Sequence, residues 1–512
     1  MAADLTLSST QLRHSVVTMG PLSRRHFIGL GASASVAILA GCSEAAGGRS
    51  RPSVPSNSSD LANRKPDVVA SYRAGALDLD LAGTIASSWG YSDTVPGKLL
   101  RARAGDLVEV TVDNGLPEPT SIHWHGIATV NSMDGVPGLT QSDIEPGSSF
   151  TYRFIVPDPG TYWFHPHHGL QLDRGLYAPF IVDDPADDVD ADIEYVVVLD
   201  DWLDGVGTTP ADELIRIREM GAEMGDMDGM DHEGMSMATS PLLGGDAGDA
   251  VYPHHLINGR PLNDPLTFEP RPRAGDRVRL RIINAGSDTA YRFAVGGHRM
   301  TVTHADGFPV VPVEIDAFVI GMGERYDVTL DVQSGAWPVI ALAEGKKMRA
   351  AAVLRTTDAK TQQAPNLAAE IGELDGAWLR YADLRAADRV ALDLPKDIPT
   401  RSIRLTGGMA GFDWAFGGRP YGEHEPITVS EGEWLSLAIE NTTTMWHPVH
   451  LHGHTPQLTA MAGGVRKDTV NILPGHTVQL TFQADNPGEW MLHCHNAYHL
   501  EAGMATVLSY TP

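Results

Sequence analysis

One pattern occurs three times along this chain and constrains its fold more than any other feature. In each copy a glycine and an acidic residue precede a run of alternating apolar side chains, and an asparagine follows eight residues after the acid. The three copies end at Asn114, Asn284 and Asn441. A period of two residues is typical of β-strands with one buried face. The sequence therefore predicts three homologous β-domains.

Length and composition agree with this prediction. A chain of 512 residues suits about three domains at roughly 100 to 200 residues each. The 53 glycines and 34 prolines favour short strands joined by many turns. We expect an all-β fold with domains at 66–185, 190–356 and 395–512, and an insertion at about 219–237 in the second.

The charge balance argues against one class of partner. Lysines and arginines number 38 and acidic residues number 65, which gives a formal net charge of −27. Phosphate backbones are bound by positively charged surfaces, which so acidic a chain is poorly suited to provide. We therefore expect no nucleic-acid binding.

Histidines distinguish the outer copies of the repeat from the middle one. At corresponding positions the first and third copies carry histidines, where the middle copy carries apolar residues. These positions are His123, His125, His165 and His167 in the first copy, Phe293, Val295, Ile340 and Leu342 in the second, and His450, His452, His493 and His495 in the third. The sequence thus predicts metal chemistry in the outer domains, with the middle domain as a spacer or a lid.

Strand geometry divides the predicted ligands between two sites. Each His-X-His pair places both imidazoles on one face of a strand, so four pairs offer eight imidazoles to one polynuclear centre. Cys494 points to the opposite face, where His447, His499 and Met504 are left to join it. Two imidazoles, a thiolate and a weak thioether form the ligand set of blue copper. A four-coordinate zinc site would not need so many ligands.

These motifs give the chain a clear resemblance. With His123-Trp124-His125-Gly126, His165-Pro166-His167, His447–His452 and His493-Cys494-His495 intact, it resembles three-domain multicopper oxidases of the laccase type. The resemblance implies three cupredoxin-like Greek-key domains, and four copper ions that couple substrate oxidation to the reduction of dioxygen to water. It implies a type 1 copper held by His447, Cys494, His499 and Met504, a type 2 copper held by His123 and His450, and a type 3 pair held by His125, His165 and His495 and by His167, His452 and His493.

The resemblance also points to two acids that handle protons. Asp134 matches a family aspartate thought to orient the type 2 water and relay protons, although an acidic turn residue before a glycine is the alternative. A family glutamate that often follows the second type 1 histidine is replaced here by Leu500, and Glu501 comes next. Asp134 and Glu501 are therefore the candidates, and Leu500 leaves the route on that side open.

The insertion in the second domain suggests a substrate. It carries six methionines among acidic residues: Met220, Met224, Met227, Met230, Met235 and Met237. Thioethers select Cu(I), and the segment resembles the copper-binding segment of periplasmic cuprous oxidases. A buried helix face and a solvated linker are the alternatives.

We expect an oxidase that converts Cu(I) to Cu(II) for copper tolerance, with further Cu(I) bound at the insertion and with Fe(II) and phenols as additional reductants. A laccase acting on organic phenols or amines is the first rival. A copper-storage protein is the second, although storage does not need the bridge that His493-Cys494-His495 would form between two sites.

The N-terminal region predicts export and anchoring. Arg24 and Arg25 precede a small and apolar run over 27–40, as in twin-arginine signals. This run is shorter than the roughly 20 residues that span a bilayer. Leu39-Ala40-Gly41-Cys42 resembles a lipobox, so we expect a signal over 1–42, a flexible linker over 43–65 and an extracytoplasmic, periplasmic lipoprotein held to the membrane at Cys42. A cysteine that happens to end a signal peptide is the alternative.

Overall fold

Three pairs of β-sheets follow one another along the chain in the computed structural model, which describes residues 63–187, 189–226, 238–460 and 463–511. The predicted all-β fold is confirmed. The few helices include single turns at Asn131–Met133, Leu172–Arg174, Thr357–Ala359, Gly372–Asp375 and Tyr381–Asp383. Among the described residues, no helix combines the length and the apolar character needed to cross a bilayer.

The first pair of sheets carries the first two His-X-His motifs. Its strands are β1 (Val68–Leu81), β2 (Thr84–Tyr91), β3 (Leu100–Arg103), β4 (Leu107–Asn114), β5 (His123–His125), β6 (Ser149–Ile155), β7 (Gly160–His165) and β8 (Ala178–Asp183). They form the orders β2-β1-β4-β6 and β3-β8-β7-β5. Aromatic side chains such as Trp124, Phe154 and Phe164 are fully buried in the core of this pair.

The middle pair of sheets is the largest. It comprises β9 (Ile193–Trp202), α1 (Pro210–Asp226), β10 (Thr239–Ser240), β11 (Gly245–Asp246), β12 (His254–Ile257), β13 (Arg260–Pro261), β14 (Leu266–Thr267), β15 (Arg277–Asn284), β16 (Tyr291–Val295), β17 (Met300–Ala305), β18 (Phe308–Ile315), β19 (Ala317–Ile320), β20 (Arg325–Asp331), β21 (Ala336–Ala343) and β22 (Arg349–Arg355). The orders are β13-β12-β9-β15-β20-β17-β18 and β14-β22-β21-β16-β19, and β10 and β11 form a separate hairpin.

The third pair carries the remaining motifs. Its elements are β23 (Thr400–Thr406), β24 (Ala415–Phe416), β25 (Ile427–Ser430), β26 (Trp434–Asn441), β27 (His447–Leu451), β28 (Gln457–Leu458), β29 (Thr469–Ile472), β30 (Thr477–Gln483), β31 (Glu489–Cys494), α2 (Ala497–Glu501) and β32 (Ala505–Thr511). The orders are β24-β23-β26-β30-β28 and β25-β32-β31-β27-β29.

The repeated asparagines have one structural role. Asn114, Asn284 and Asn441 are buried at the ends of β4, β15 and β26. In each case Nδ2 donates to two backbone carbonyls at 2.7–3.0 Å, and Oδ1 accepts from the backbone N–H two residues further on. Each asparagine thus ties the turn after its strand to a distant segment, which explains why the residue recurs.

The middle copy departs from the outer ones by one residue of register. His123 pairs with His165, and His450 pairs with His493. In the middle copy Phe293 pairs with Ala341, one residue beyond the Ile340 expected from spacing.

The insertion begins as a helix, because residues 219–226 form the C-terminal part of α1. Pro210 starts α1 with the backbone angle that a first helical turn needs, and Thr209 Oγ1 accepts from the N–H of Asp212 at 3.2 Å. Met220 is partly buried against the core, as the helix-face alternative expects. Met224 also lies in α1, whereas Met227, Met230, Met235 and Met237 lie outside the described residues.

Candidate metal centre

Two pairs of neighbouring strands bring the eight repeat histidines together. β5 lies beside β7, and β27 lies beside β31. Seven of the eight side chains are buried, and His167 is partly buried. Nitrogens within 4.8 Å of one another form three groups: His125, His165 and His495; His167, His452 and His493; and His123, His450 and His452. Chain positions more than 300 residues apart thus meet in one polynuclear cluster.

A second group lies on the opposite face of β31. Cys494 pairs with Val449, whereas His493 pairs with His450, so the cysteine and the cluster histidines point to opposite faces. Cys494 Sγ lies 3.7 Å from His447 Nδ1 and 3.6 Å from His499 Nδ1. All three side chains are buried.

Met504 is held next to this group by the backbone. The N–H of Cys494 donates to the carbonyl of Met504 at 3.0 Å, and the N–H of Met504 donates to the carbonyl of His499 at 2.9 Å. The Met504 side chain is buried. The structure therefore brings together all the residues expected at the type 1 site.

Hydrogen bonds hold one nitrogen of most of the cluster imidazoles. At 2.9–3.1 Å, Nδ1 of His165, His493, His123 and His450 faces a backbone carbonyl, Nδ1 of His452 faces Asp134 Oδ2, and Nε2 of His125 faces Thr469 Oγ1. A partner on one nitrogen fixes the tautomer and leaves the other nitrogen with a free lone pair. The cluster is therefore oriented for metal binding.

The nitrogens that face the inside of the cluster are available to bind metal. Within the described part of the chain, His125 Nδ1, His165 Nε2, His167 Nε2 and both nitrogens of His495 have no hydrogen-bond partner. Nε2 atoms approach one another at 3.4 Å between His123 and His450 and at 3.1 Å between His452 and His493. Buried polar atoms rarely stay unpaired, so converging imidazoles of this kind fit bound copper.

Burial also keeps most of these imidazoles neutral. Desolvation lowers the pKa of His125, His165, His167, His450, His452, His493 and His495, and of His447 at the cysteine site. A neutral imidazole is the form that binds metal. Burial opposes a charge on His499 too, but the hydrogen bonds that its ring donates to Asp249 and Cys494 raise its pKa to about 10.

The sequence comparisons agree with this geometry. Family models described as multicopper oxidase match residues 77–187, 194–359 and 393–512. The chain is 44% identical to multicopper oxidase MmcO of Mycobacterium tuberculosis, over 95% of this chain and 96% of that protein. This chain is a multicopper oxidase.

Other relatives of the oxidase have different names. It is 29% identical to a copper resistance protein A homolog of Pseudomonas syringae, over 84% of this chain and 90% of that protein. Among solved structures it is similar to the laccase from Botrytis aclada, with 26% identity and a TM-score of 0.70 over 87% of this chain and 88% of that one. The predicted copper-dependent oxidoreductase with four copper ions and cupredoxin-like domains is confirmed.

Two buried acids contact the cluster of the oxidase. Asp134 lies 3.2 Å from His123 Nδ1 through Oδ1, in addition to its contact with His452. Sequence reasoning missed Asp468, whose Oδ1 lies 3.3 Å from His125 Nε2 and 3.4 Å from His450 Nδ1. The only available signal was the charged stretch Arg466-Lys467-Asp468 directly before β29.

The middle sheets lie directly against the cluster and do more than separate the outer domains. Gly323 has a φ of +83°, and a Cβ there would lie 3.0 Å from both His125 and His495. The guanidinium of Arg325 makes two contacts of 2.6 Å with the carboxylate of Asp468. The middle sheets therefore help to position the histidines of both outer pairs.

A cavity of about 170 Å³ reaches the cluster from outside. It is lined by His165, His167, His493 and His495, with Leu500 and Glu501 among its other lining residues. Glu501 is exposed and thus lies where the cavity meets solvent. The cavity therefore joins four of the cluster histidines to an exposed acid.

Proposed function

We propose that this oxidase takes electrons from Cu(I) at the cysteine site and uses them to reduce dioxygen at the histidine cluster. In this proposal His447, Cys494, His499 and Met504 hold the type 1 copper, His123 and His450 hold the type 2 copper, and the other six cluster histidines hold the type 3 pair. Copper bound there supplies one-electron redox chemistry. Four Cu(I) ions, four protons and one dioxygen then give four Cu(II) ions and two waters.

The chain connects the two sites through Cys494. Its peptide bonds join it to His493 and His495, which belong to different groups of the cluster. The ring of His493 also hydrogen-bonds through Nδ1 to the carbonyl of Cys494 at 2.9 Å. Electrons entering at the thiolate therefore have short covalent and hydrogen-bonded routes to the cluster.

The burial of His499 is the observation that most supports Cu(I) as the reductant. Its outer nitrogen, Nε2, lies 2.9 Å from Oδ2 of the buried Asp249. Trp414 packs against the rings of both His499 and His447. A phenol would need an open cleft at the imidazole edge, whereas a small cation needs only a path lined by carboxylates. The enclosure supports a metal ion over an organic reductant.

The acids around Asp249 also support a cationic substrate. Oδ1 of Asp249 has no hydrogen-bond partner among the residues described. Asp246 lies in the same segment, and Glu213 of α1 accepts from the N–H of Val251 at 2.9 Å. Arg216 of α1 donates to the carbonyl of Asp249 at 2.9 Å, so α1 lies directly over this segment. The carboxylate oxygens of this segment would act as ligands for an incoming copper ion.

We assign all six methionines of the insertion, from Met220 to Met237, the task of collecting Cu(I). The likeness to a copper resistance protein A homolog supports copper as the physiological substrate. Fe(II) is a second cation that the same carboxylates would attract. The likeness to a laccase keeps organic phenols and amines as the rival substrates.

Asp134 and Glu501 are the groups that we propose to hold protons for the reaction. Asp134 bridges two cluster imidazoles, which places a carboxylate beside the reacting centre. Glu501 lies at the mouth of the cavity that leads to the type 3 histidines. One acid therefore acts inside the cluster and the other at its entrance.

We further propose export through the twin-arginine route and anchoring by a lipid on Cys42. Residues 1–62, which carry the twin arginines and the lipobox, lie outside the described residues. The sequence motifs alone support this part of the proposal. Extracytoplasmic anchoring would place the enzyme where Cu(I) arrives from outside the cell.

Steady-state oxygen uptake with Cu(I), Fe(II) and a phenol tests the substrate. In the test variant, serine replaces Met220, Met224, Met227, Met230, Met235 and Met237. We expect a higher apparent KM for Cu(I) with unchanged or faster phenol turnover. The matched control keeps the methionines and replaces Asp228 and Asp231 by asparagine and Glu233 by glutamine. Unchanged Cu(I) kinetics in the methionine variant, with phenol as the best wild-type substrate, would favour the laccase.

A further inference from the structure

Asp288 is a buried carboxylate of the middle sheets that is not one of the proposed copper ligands. It lies between β15 and β16, and its side chain is fully buried. Lys346 Nζ contacts its Oδ2 at 2.6 Å. Three further donors from outside its own turn reach it: Asn496 Nδ2 at 2.7 Å, the N–H of Asp249 at 3.1 Å and the N–H of Ala250 at 3.2 Å. Each of the two carboxylate oxygens therefore accepts from two donors.

The first connection from Asp288 leads to the backbone of His499. Asn496 donates its Nδ2 to Asp288 and caps the N-terminus of α2 with its Oδ1. That oxygen accepts from the N–H of Tyr498 at 3.0 Å and from the N–H of His499 at 3.2 Å. One amide thus links Asp288 to the peptide group of His499.

The second connection leads to the imidazole of the same residue. Asp249, whose N–H donates to Asp288, contacts His499 Nε2 at 2.9 Å through its own carboxylate. The segment around Asp249 also fits tightly, because a Cβ on Gly248 would lie 2.3 Å from Asp288 Oδ2 and 2.8 Å from Lys346 Nζ. Movement of Asp288 would therefore displace the partner of the imidazole.

We infer that Asp288 is a positioning residue for the type 1 copper, because it holds both the backbone and the ring of His499 through separate partners. The inference rests on the type 1 assignment proposed above. Lys346 balances the buried charge of the carboxylate, which would otherwise be costly to keep in the interior. The middle domain, which has no predicted copper ligand, would in this way tune the copper site of the third.

Asp288→Asn is the first test. An amide offers one acceptor oxygen and turns its NH₂ group toward donors, so at least one of the present hydrogen bonds must break. We expect a weakened or shifted blue absorption band, altered copper hyperfine splitting of the type 1 signal, and a raised type 1 reduction potential because a negative charge is removed. The type 2 signal should keep its wild-type form.

A matched control separates this effect from general destabilisation. Asp204 is an equally buried carboxylate of the middle sheets, paired with Arg174 and Ser88 and not linked to His499 by any hydrogen bond found in the described residues. Asp204→Asn should lower the unfolding temperature yet leave the type 1 band and potential unchanged.

Asn496→Asp provides a second variant in case Asp288→Asn does not fold. It keeps the acceptor that caps α2 but replaces the donor to Asp288 with a second buried carboxylate, which repels Asp288, so it too should alter the type 1 spectrum. The reciprocal exchange, Asp288→Asn with Asn496→Asp, restores a donor, an acceptor and the total charge. It should recover more of the wild-type spectrum than either single change.

Two results would overturn the inference. One is a wild-type blue band and hyperfine splitting in Asn496→Asp and in any folded Asp288→Asn protein. The other is an exchange variant no closer to wild type than the single variants. Neither result affects the type 1 assignment, which is tested separately by the loss of the blue band in Cys494→Ser.

Discussion

Successive side chains of β31 point to opposite faces, and this alternation of single residues separates the two copper sites. His493 faces the cluster, whereas Cys494 faces His447 and His499. The consequence is that a change at Cys494 alters one site without removing a ligand from the other.

Cys494→Ser should therefore abolish the blue absorption and the oxidase activity, while the fold and most of the cluster copper remain. A hydroxyl is a far weaker ligand than a thiolate and lacks its intense charge-transfer band. Absorption and electron paramagnetic resonance spectra, together with copper content per chain, provide the measurement. Blue colour retained in this variant would rule out Cys494 as the type 1 ligand.

The ligands could be predicted from local sequence because two histidines spaced as His-X-His on a strand must lie on the same face of that strand. Asp249, Asp288 and Asp468 had no such signal. Asp249, for example, reaches His499 across 250 positions of the chain, and a lone acid in a turn looks the same whether it is buried or exposed. Such partners become visible only when distant segments are placed together in three dimensions.

At the scale of elements, strands were predictable and the insertion was not. The alternating runs that end at Asn114, Asn284 and Asn441 became β4, β15 and β26. The start of the insertion folds as α1 because Thr209 and Pro210 supply a helix start, a signal that the glycines and acids further along obscured. The turn between β19 and β20 was equally hidden, although it touches the cluster.

Gly323→Ala tests that turn. A Cβ would meet His125 and His495 at 3.0 Å, so we expect loss of copper from the cluster with retention of the blue band. Gly275→Ala is the matched control, because Gly275 has a similar φ of +91° and nothing lies within 4 Å of its added Cβ. Both variants should lose about 1 kcal/mol of stability to the strained backbone. Equal copper contents in the two variants would refute the contact.

Asp246, at the end of the hairpin formed by β10 and β11, makes stability depend on pH. Burial, and next the charge of Asp249, raise its pKa from 3.8 to about 7. The folded state therefore holds a proton that the unfolded state releases, and this contribution to stability is lost as pH rises from about 4 to about 7. The unfolding temperature of Asp246→Asn should rise relative to that of the wild type as pH increases through that window. Above about pH 7 the difference between the two proteins should stay constant. An advantage independent of pH would contradict this.

At the scale of the whole molecule, the two copper sites differ in how many domains they need. All the proposed type 1 ligands come from the third pair of sheets, whereas the cluster draws histidines from the first and the third. A group of buried charges joins the middle sheets to the third pair beside the cluster: Asp306, Glu324, Arg325, Lys467 and Asp468. These side chains are completely buried, so their ion pairs are protected from solvent.

Arg325→Met should disable the histidine cluster and leave the type 1 site intact. The change leaves Asp468 and Asp306 without their guanidinium partner, and an unpaired buried charge costs about 3–5 kcal/mol. Because Asp468 contacts His125 and His450, the cluster should lose copper and dioxygen reduction should fail. The type 1 ligands all lie within the third pair of sheets, and none of the hydrogen bonds that Arg325 donates in the described residues reaches them, so the blue band should survive and still bleach when a reductant is added.

An exposed ion pair provides the control for this variant. Arg404 pairs with Glu440 at the surface of the third pair of sheets, where such pairs contribute at most about 1 kcal/mol. Arg404→Met should therefore keep wild-type copper content, oxygen uptake and unfolding temperature. If Arg325→Met lost the blue band together with the cluster copper, the type 1 site would depend on the domain interface as much as the cluster does, and the third domain could not hold its copper alone.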